Sequence, residues 1–301
     1  MGDAAVNGVM QDSPSGSPDE LDDCEIVRGL LERHLANDAL AVPLLPEVAV
    51  RVVGAGSKNS TNAQQLAEII NADPALTMYV LRIAVSAAKR PVSSIVSLQH
   101  AVAWLGFDEV ANIAFTLALQ GKMLDVKGQQ HKARRLWRHS LASALWARQV
   151  AHLLSQQTGM CYLCGLLHNI GKVVALGAIH EVALGAGKKL AGEDYDRLIE
   201  MFHRHVGARV IAAWGLPPPV PAAISKWESF ASAGAARFEC TVVSVAHRLA
   251  DLTLHGSTRE GRDALLSDAA YRDLGLAAPD TEPLFDSTAA INAELNRYLA
   301  P

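Results

Sequence analysis

From about Cys24 almost to the C-terminus, the apolar residues of this 301-residue chain recur at helical spacing, and the stops between runs are those that end helices. The first run is Ile26, Leu30, Leu31, His34 and Leu35. Asp73-Pro74 places a capping carboxylate before a proline at the first helical position and opens a helix to about Ala88, which Arg90-Pro91 breaks. Ser97 caps a short helix that stops at Gly106, and Asp108 starts the next, carrying Val110, Ile113, Ala114, Leu117 and Leu119. A linker is expected over 121–130, then a helix over 131–156 and another over 159–179, with Leu163, Leu166, Leu167, Ile170 and Val173 as its stripe. Gly215 to Pro219 ends the helix of Ile211 and Trp214, and the next begins near Pro221. A further helix spans 240–254, although Thr241-Val242-Val243 alone also fits a strand, and two short helices are expected over 258–301. Aromatics are only 5% of the chain against 50% apolar residues, so Ala, Val and Leu must pack closely to form the core. The fold class is all-α.

The formal charge of −4 sits at one end. Residues 1–30 hold seven acids against Arg28, which leaves the remainder at +2. Gly, Ser, Pro and Asp dominate the start, with too little apolar surface to offset the entropy of ordering, so residues 1–23 are expected to be a disordered acidic tail. A near-neutral body lacks the clustered cations that nucleic acid or a membrane surface would select, and neither is expected as a partner. No basic segment followed by an apolar run marks the N-terminus as a signal peptide, and no run of about 18 apolar residues stands out. Cys24, Cys161, Cys164 and Cys240 read as reduced thiols, which places the chain in the cytoplasm.

The segment carrying chemistry is Gly165-Leu166-Leu167-His168-Asn169-Ile170-Gly171-Lys172, with His139 about thirty residues upstream. It resembles the Gly-Leu-Leu-His-Asp-Ile-Gly-Lys signature of HD phosphohydrolases, whose His-Asp pair ligates metal. Further segments narrow the resemblance to the HDOD family: Leu45-Pro46-Glu47-Val48-Ala49, Ile69 through Thr77, Pro91-Val92-Ser93-Ser94-Ile95, Ala101 through Gly106, His203-Arg204-His205-Val206-Gly207 and Trp214-Gly215-Leu216-Pro217. Their shared order over residues 40–230 makes the assignment specific. The resemblance implies an all-helical bacterial signalling domain that generally lacks hydrolase activity. Residues 24–236 would form the HDOD domain, with its halves meeting between about 122 and 130, and 237–301 a helical segment completing the HD-like core.

This sequence departs from the HD pattern at Asn169, a neutral amide in the place of a metal-bridging carboxylate. The last ligand position falls on either His247 or Asp251. Val85 stands where the HDOD pattern has asparagine after Arg82-Ile83-Ala84, so that residue's family role is not carried over. The remnant site is therefore His139, His168, Asn169, Lys172, His247 and Asp251, with no catalytic residue and no cofactor expected. Its histidines are expected to pack and hydrogen-bond between helices; if a metal does bind, His139 and His168 are its ligands.

Three other features invite functional readings. Cys161-Tyr162-Leu163-Cys164 has redox or zinc half-motif spacing but no second pair, and it reads as part of a small-residue face with Gly165, His168 and Gly171. Ser97 to Leu119 imitates a helix-turn-helix, but its second helix opens on Asp108-Glu109 and offers no Arg, Lys or Gln until Gln120. Lys122, Lys127, Lys132, Arg134, Arg135 and Arg138 form the basic cluster of the body. It reads as a solvated face, with Lys132, Arg134, Arg135 and Arg138 as candidates for docking a protein partner, including another copy or the chain's own tail. The function implied is regulatory and non-catalytic, through protein contacts. The alternatives are a phosphohydrolase of nucleotides or cyclic dinucleotides with an altered metal shell, and a nucleotide receptor without turnover.

Overall fold

A computed structural model of the chain describes residues 22–37, 39–40, 42–56, 62–87 and 97–299. Residues 1–21 of the expected disordered tail, and the Pro91 to Ile95 motif, lie outside the described residues. In the N-terminal half the helices are α1 (Asp23–Ala36), α2 (Glu47–Gly56), α3 (Ala63–Asn71), α4 (Pro74–Ala87), α5 (Leu98–Leu105) and α6 (Phe107–Leu124). The second half holds α7 (Gln130–Leu153), α8 (Thr158–Leu167), α9 (Ile170–Gly185), α10 (Gly192–Trp214) and α11 (Pro219–Lys226). Two 3-10 turns, Trp227–Ser232 and Gly234–Ala236, lead into α12 (Arg237–His255). The chain closes with α13 (Arg259–Leu266), α14 (Ala269–Asp273), α15 (Ala278–Asp286) and α16 (Thr288–Leu299). No strand occurs among the described residues.

Local chemistry sets most of these ends. Asp73 Oδ1 accepts from the amides of Ala75 and Leu76 at 2.9 and 3.1 Å, capping α4 ahead of Pro74. Ser97 caps α5, and Gly215 ends α10 at a left-handed φ of 57°. Asp22 caps α1, and the Asp23 carboxylate accepts from the Lys189 amide at 3.0 Å. The acidic segment thus becomes ordered before residue 23.

Thr241-Val242-Val243 lies within α12, as the helical reading of 240–254 expects, and is buried on all three residues because the turns of α12 that flank it also face the core. The structure corrects three expectations. Helix α6 runs to Leu124, which shortens the 121–130 linker. Among the described residues, the stretch from 258 to 299 forms four helices rather than two. The helix expected over 159–179 breaks at His168-Asn169, where Asn169 leaves helical geometry at φ −104° and ψ 14°.

That break sends the two motif glycines to different neighbours. A methyl on Gly165 would lie 2.8 Å from the Ser143 carbonyl of α7, and one on Gly171 would lie 2.1 Å from the His203 carbonyl of α10. Glycine at these positions lets α8 approach α7 and α9 approach α10 at backbone range. Small residues therefore form two close contacts, not one face. The apolar span Thr158–Gly185 is long and apolar enough to cross a bilayer by length and composition, contrary to expectation, but 83% of its most apolar window is buried inside the fold.

The halves are joined by core and by polar ties. Helix α6 buries Val110, Ile113, Ala114, Phe115 and Leu119 and packs against α2, α4, α5, α7 and α8. Glu109, on the helix that imitates a DNA reader, instead pairs with Arg148 of α7. Arg148 also meets Glu294 of α16 at 2.7 Å, tying the C-terminal helix to both halves. Trp214 Nε1 donates to the Pro43 carbonyl at 2.8 Å, holding the segment before α2 against α10.

Candidate functional site

Helix α12 packs against both α7 and α8, and this brings three histidines from distant sequence together. His139 comes from α7, His168 from the α8–α9 break and His247 from α12. One ring nitrogen from each can be chosen so that all lie within 4.8 Å of one another. The break at Asn169 matters because it turns α9 away and leaves His168 at the end of α8, 3% exposed.

The hydrogen bonds fix the tautomers in sequence. His168 Nδ1 lies 2.7 Å from the Gly165 carbonyl, which only accepts, so Nδ1 carries the proton and Nε2 keeps its lone pair. His247 Nδ1 then donates to His168 Nε2 at 2.9 Å. His139 Nε2 donates to Asp251 Oδ1 at 3.0 Å, and Asp251 Oδ2 lies 3.6 Å from His247 Nε2. His247 and Asp251 are one turn apart on α12, so both sequence candidates for the last position reach the cluster.

Burial keeps His168 and His247 neutral. Burial, together with the neighbouring His247 and His139, pushes the His168 pKa well below the usual histidine value. Burial and His139 lower His247 to about 3. At Asp251 burial works upward, but the hydrogen bond and charge of His139, with His247 and His255, bring the carboxyl below its ordinary value.

The site has a roof that the sequence did not mark. Trp227, in the 3-10 turn after α11, lies tilted by 31° over His247 with ring centroids 4.4 Å apart and edge-on to His168 at 5.4 Å. Nothing in its flanking sequence distinguishes it from a core tryptophan. Lys172, on the first turn of α9, pairs with Glu200 of α10, which also lies 3.7 Å from His203 Nε2. Asn169 is 7% exposed, and its Oδ1 has no hydrogen-bond partner. Among the basic candidates, Lys132 and Arg135 both pair with Asp196 of α10, while Arg134 and Arg138 are exposed. Cys161, Cys164 and Cys240 are buried free thiols whose pKa burial raises, to about 12 at Cys161 and about 11 at Cys240. Such thiols are poor nucleophiles.

The HDOD domain profile matches residues 42–229. The chain belongs to the HDOD domain family. An uncharacterised protein of Treponema pallidum (strain Nichols) is 24% identical over 187 residues, covering 60% of this chain. The chain spans 36% of the length of that relative. Three solved structures share its fold, each at 22% identity. A "Putative metal-dependent phosphohydrolase" of Shewanella amazonensis SB2B has a TM-score of 0.70, over 91% of this chain and 99% of that one. An HDOD domain protein of unknown function from Geobacter sulfurreducens has a TM-score of 0.69, over 92% and 100%. A "Putative signal transduction protein" of Marinobacter aquaeolei VT8 has a TM-score of 0.65, over 92% and 67%. The HDOD fold implies kinship with metal-dependent HD enzymes, so fit to metal is a chemical question about these residues. A pair of hard ions needs bridging and capping carboxylates. Three imidazoles, an amide and the half-exposed Asp251 do not supply them.

Proposed function

We propose that this HDOD domain is a regulatory module of a bacterial signalling system, acting through protein contacts and without phosphoester hydrolysis. The observation that carries the reading is the cluster itself. Asn169 stands where the HD pattern has its bridging carboxylate, and the hydrogen bond from His247 spends the His168 lone pair within the protein. Asp251 is the only carboxylate paired with any of the three histidines among the described residues; it meets His139 and His247 and is 47% exposed. Hydrolysis by a metal pair requires ions held close together by anionic ligands, with hydroxide generated near neutral pH. Neutral nitrogen donors favour softer ions and leave magnesium or manganese weakly held. The name of the Marinobacter relative is in line with a signalling role; that of the Shewanella relative keeps hydrolysis as the alternative to be tested. Four buried free thiols fit work in a reducing cytoplasm.

Arg134 and Arg138, one turn apart and exposed on α7, are the proposed contact residues, because Lys132 and Arg135 are engaged by Asp196. Affinity capture with the full chain, followed by binding measurements on the purified partner, tests the proposal. Association is expected to weaken in Arg134→Glu and Arg138→Glu and to persist in His168→Gln. A chain that binds no protein and turns over nucleotides would reverse the reading.

A further inference from the structure

We infer that the cavity between α2, α6 and the α7–α8 turn is a binding site for an uncharged purine base or its nucleoside, seated where the two halves of the chain meet. It is separate from the histidine cluster: Thr158, which lines it, and His168 stand at opposite ends of α8, about 15 Å apart by helical rise. The inference goes beyond the regulatory proposal, since a ligand site and a partner surface can each exist without the other.

The cavity measures about 520 Å³, a size usual for small-molecule sites. Val52 of α2 with Phe107, Ala111 and Phe115 of α6 line it from the N-terminal half, and Met160 of α8 with Pro217 line it from the second. Phe107, Ala111 and Phe115 are spaced by four and so share one face of α6. The small Ala111 leaves a notch between two rings whose Cα atoms are about 12 Å apart. Such a notch suits a flat ring, which meets aromatic and aliphatic carbon on its faces. Asn112, Gln156, Gln157 and Thr158 also line the cavity, and none of their side chains has a hydrogen-bond partner among the described residues. Each amide offers a donor beside an acceptor, the pairing that meets an adenine edge bidentately. The turn that presents the two glutamines is strained: Ser155 takes a left-handed φ of 54°, a conformation that favours glycine.

Charge decides against a nucleotide. No Lys, Arg or His occurs among the described residues that line the cavity, and Asp108 is its one charged side chain. A methyl on Gly159 would lie 3.2 Å from the Asp108 carboxyl carbon, so this carboxylate stands at the first turn of α8. It occupies the place where a helix start could otherwise receive a phosphate. An uncharged ring with amino or imino groups is accepted there, Asp108 taking its N–H, whereas a phosphate is repelled.

The experiment titrates adenosine, guanosine and inosine into the full chain by calorimetry, each beside its own nucleoside monophosphate as the charged comparison. At least one nucleoside is expected to bind at one per chain and more tightly than its monophosphate, a readout that needs no variant. Asn112→Ala and Gln157→Ala, shown by circular dichroism to be folded, should each weaken that binding about two- to tenfold, the scale of one hydrogen bond. The inference is overturned if none of the three nucleosides binds at millimolar concentration, or if the monophosphates bind as tightly as the nucleosides. It is equally overturned if binding is unchanged when Asn112→Ala and Gln157→Ala are combined; loss in folded His168→Gln would then move the ligand to the histidine cluster. A chain that binds its protein partner and takes no nucleoside would defeat this inference and leave the regulatory proposal standing.

Discussion

His247 Nδ1 donates to His168 Nε2 across 2.9 Å, and this bond fastens α12 to the break between α8 and α9. The acceptor is almost fully buried, and its other nitrogen is already committed to the Gly165 carbonyl. Replacing His168 with Ala removes two hydrogen bonds and leaves the Gly165 carbonyl and the His247 N–H without their partner. A loss of about 1–3 kcal/mol is expected, read from denaturant unfolding in chelator-treated buffer. A smaller loss is expected for Asp251→Asn, whose side chain is half exposed and can still accept from His139.

Acid should loosen the same cluster. The folded-state pKa values of His168 and His247 are depressed, so the unfolded chain binds more protons once pH falls below about 6.5. Their contribution to stability is complete above that value and declines toward pH 4, at up to about 1.4 kcal/mol per unit for each site. Asp251, also depressed, adds its own loss only below the carboxylate range. Unfolding midpoints measured from pH 8 to 5 should fall in the wild type and fall less in His247→Gln, with His139, Lys172 and Arg248 unchanged around it. Equal slopes would show that the cluster is not what titrates.

The two motif glycines carry a packing prediction. Gly171→Ala would drive a methyl into the His203 carbonyl, and Gly165→Ala one into the Ser143 carbonyl. Both should destabilise by about 1–3 kcal/mol, with Gly171→Ala the worse because its backbone neighbour lies at 2.1 Å against 2.8 Å for Gly165. Gly177→Ala, also on α9 but with nothing within 4 Å, should be neutral or stabilising by about 0.5–1 kcal/mol. Thermal unfolding of the three variants separates close approach from simple helix propensity.

Arg148 should prove more important than its neighbours in α7. It meets Glu109 and Glu294 with only 20% of its side chain exposed, and removing it strands two partly buried carboxylates. Arg148→Ala is expected to cost up to about 3–5 kcal/mol, with hydrogen exchange in α16 rising most. Arg148→Ala combined with Glu109→Gln and Glu294→Gln should recover part of the loss.

Helix ends were the most legible part of the fold, because Asp73-Pro74, Ser97 and Gly215 act through bonds and dihedrals local to their own sequence. The break at His168-Asn169 was not legible. Apolar spacing continues through it, and only the tertiary demand that α9 lie on α10 turns the chain there. The structure brings His139, His168, His247 and Asp251 together, but their geometry was not legible in the sequence. His247 and Asp251 looked like competitors for one position, whereas their one-turn spacing puts both at the cluster with different partners. Trp227 was missed because a 3-10 turn leaves no periodic signature. The basic cluster looked continuous in sequence, but Asp196, sixty residues away, pairs with two of its members.

The claim that this centre no longer hydrolyses phosphate esters is tested most directly by phosphorus NMR. The full chain, in excess manganese or zinc, would be incubated with a mixture of nucleoside mono-, di- and triphosphates and cyclic dinucleotides. The account predicts a spectrum that matches the protein-free control throughout. New phosphate or nucleotide resonances that form with the wild type and not with folded His168→Gln would contradict it.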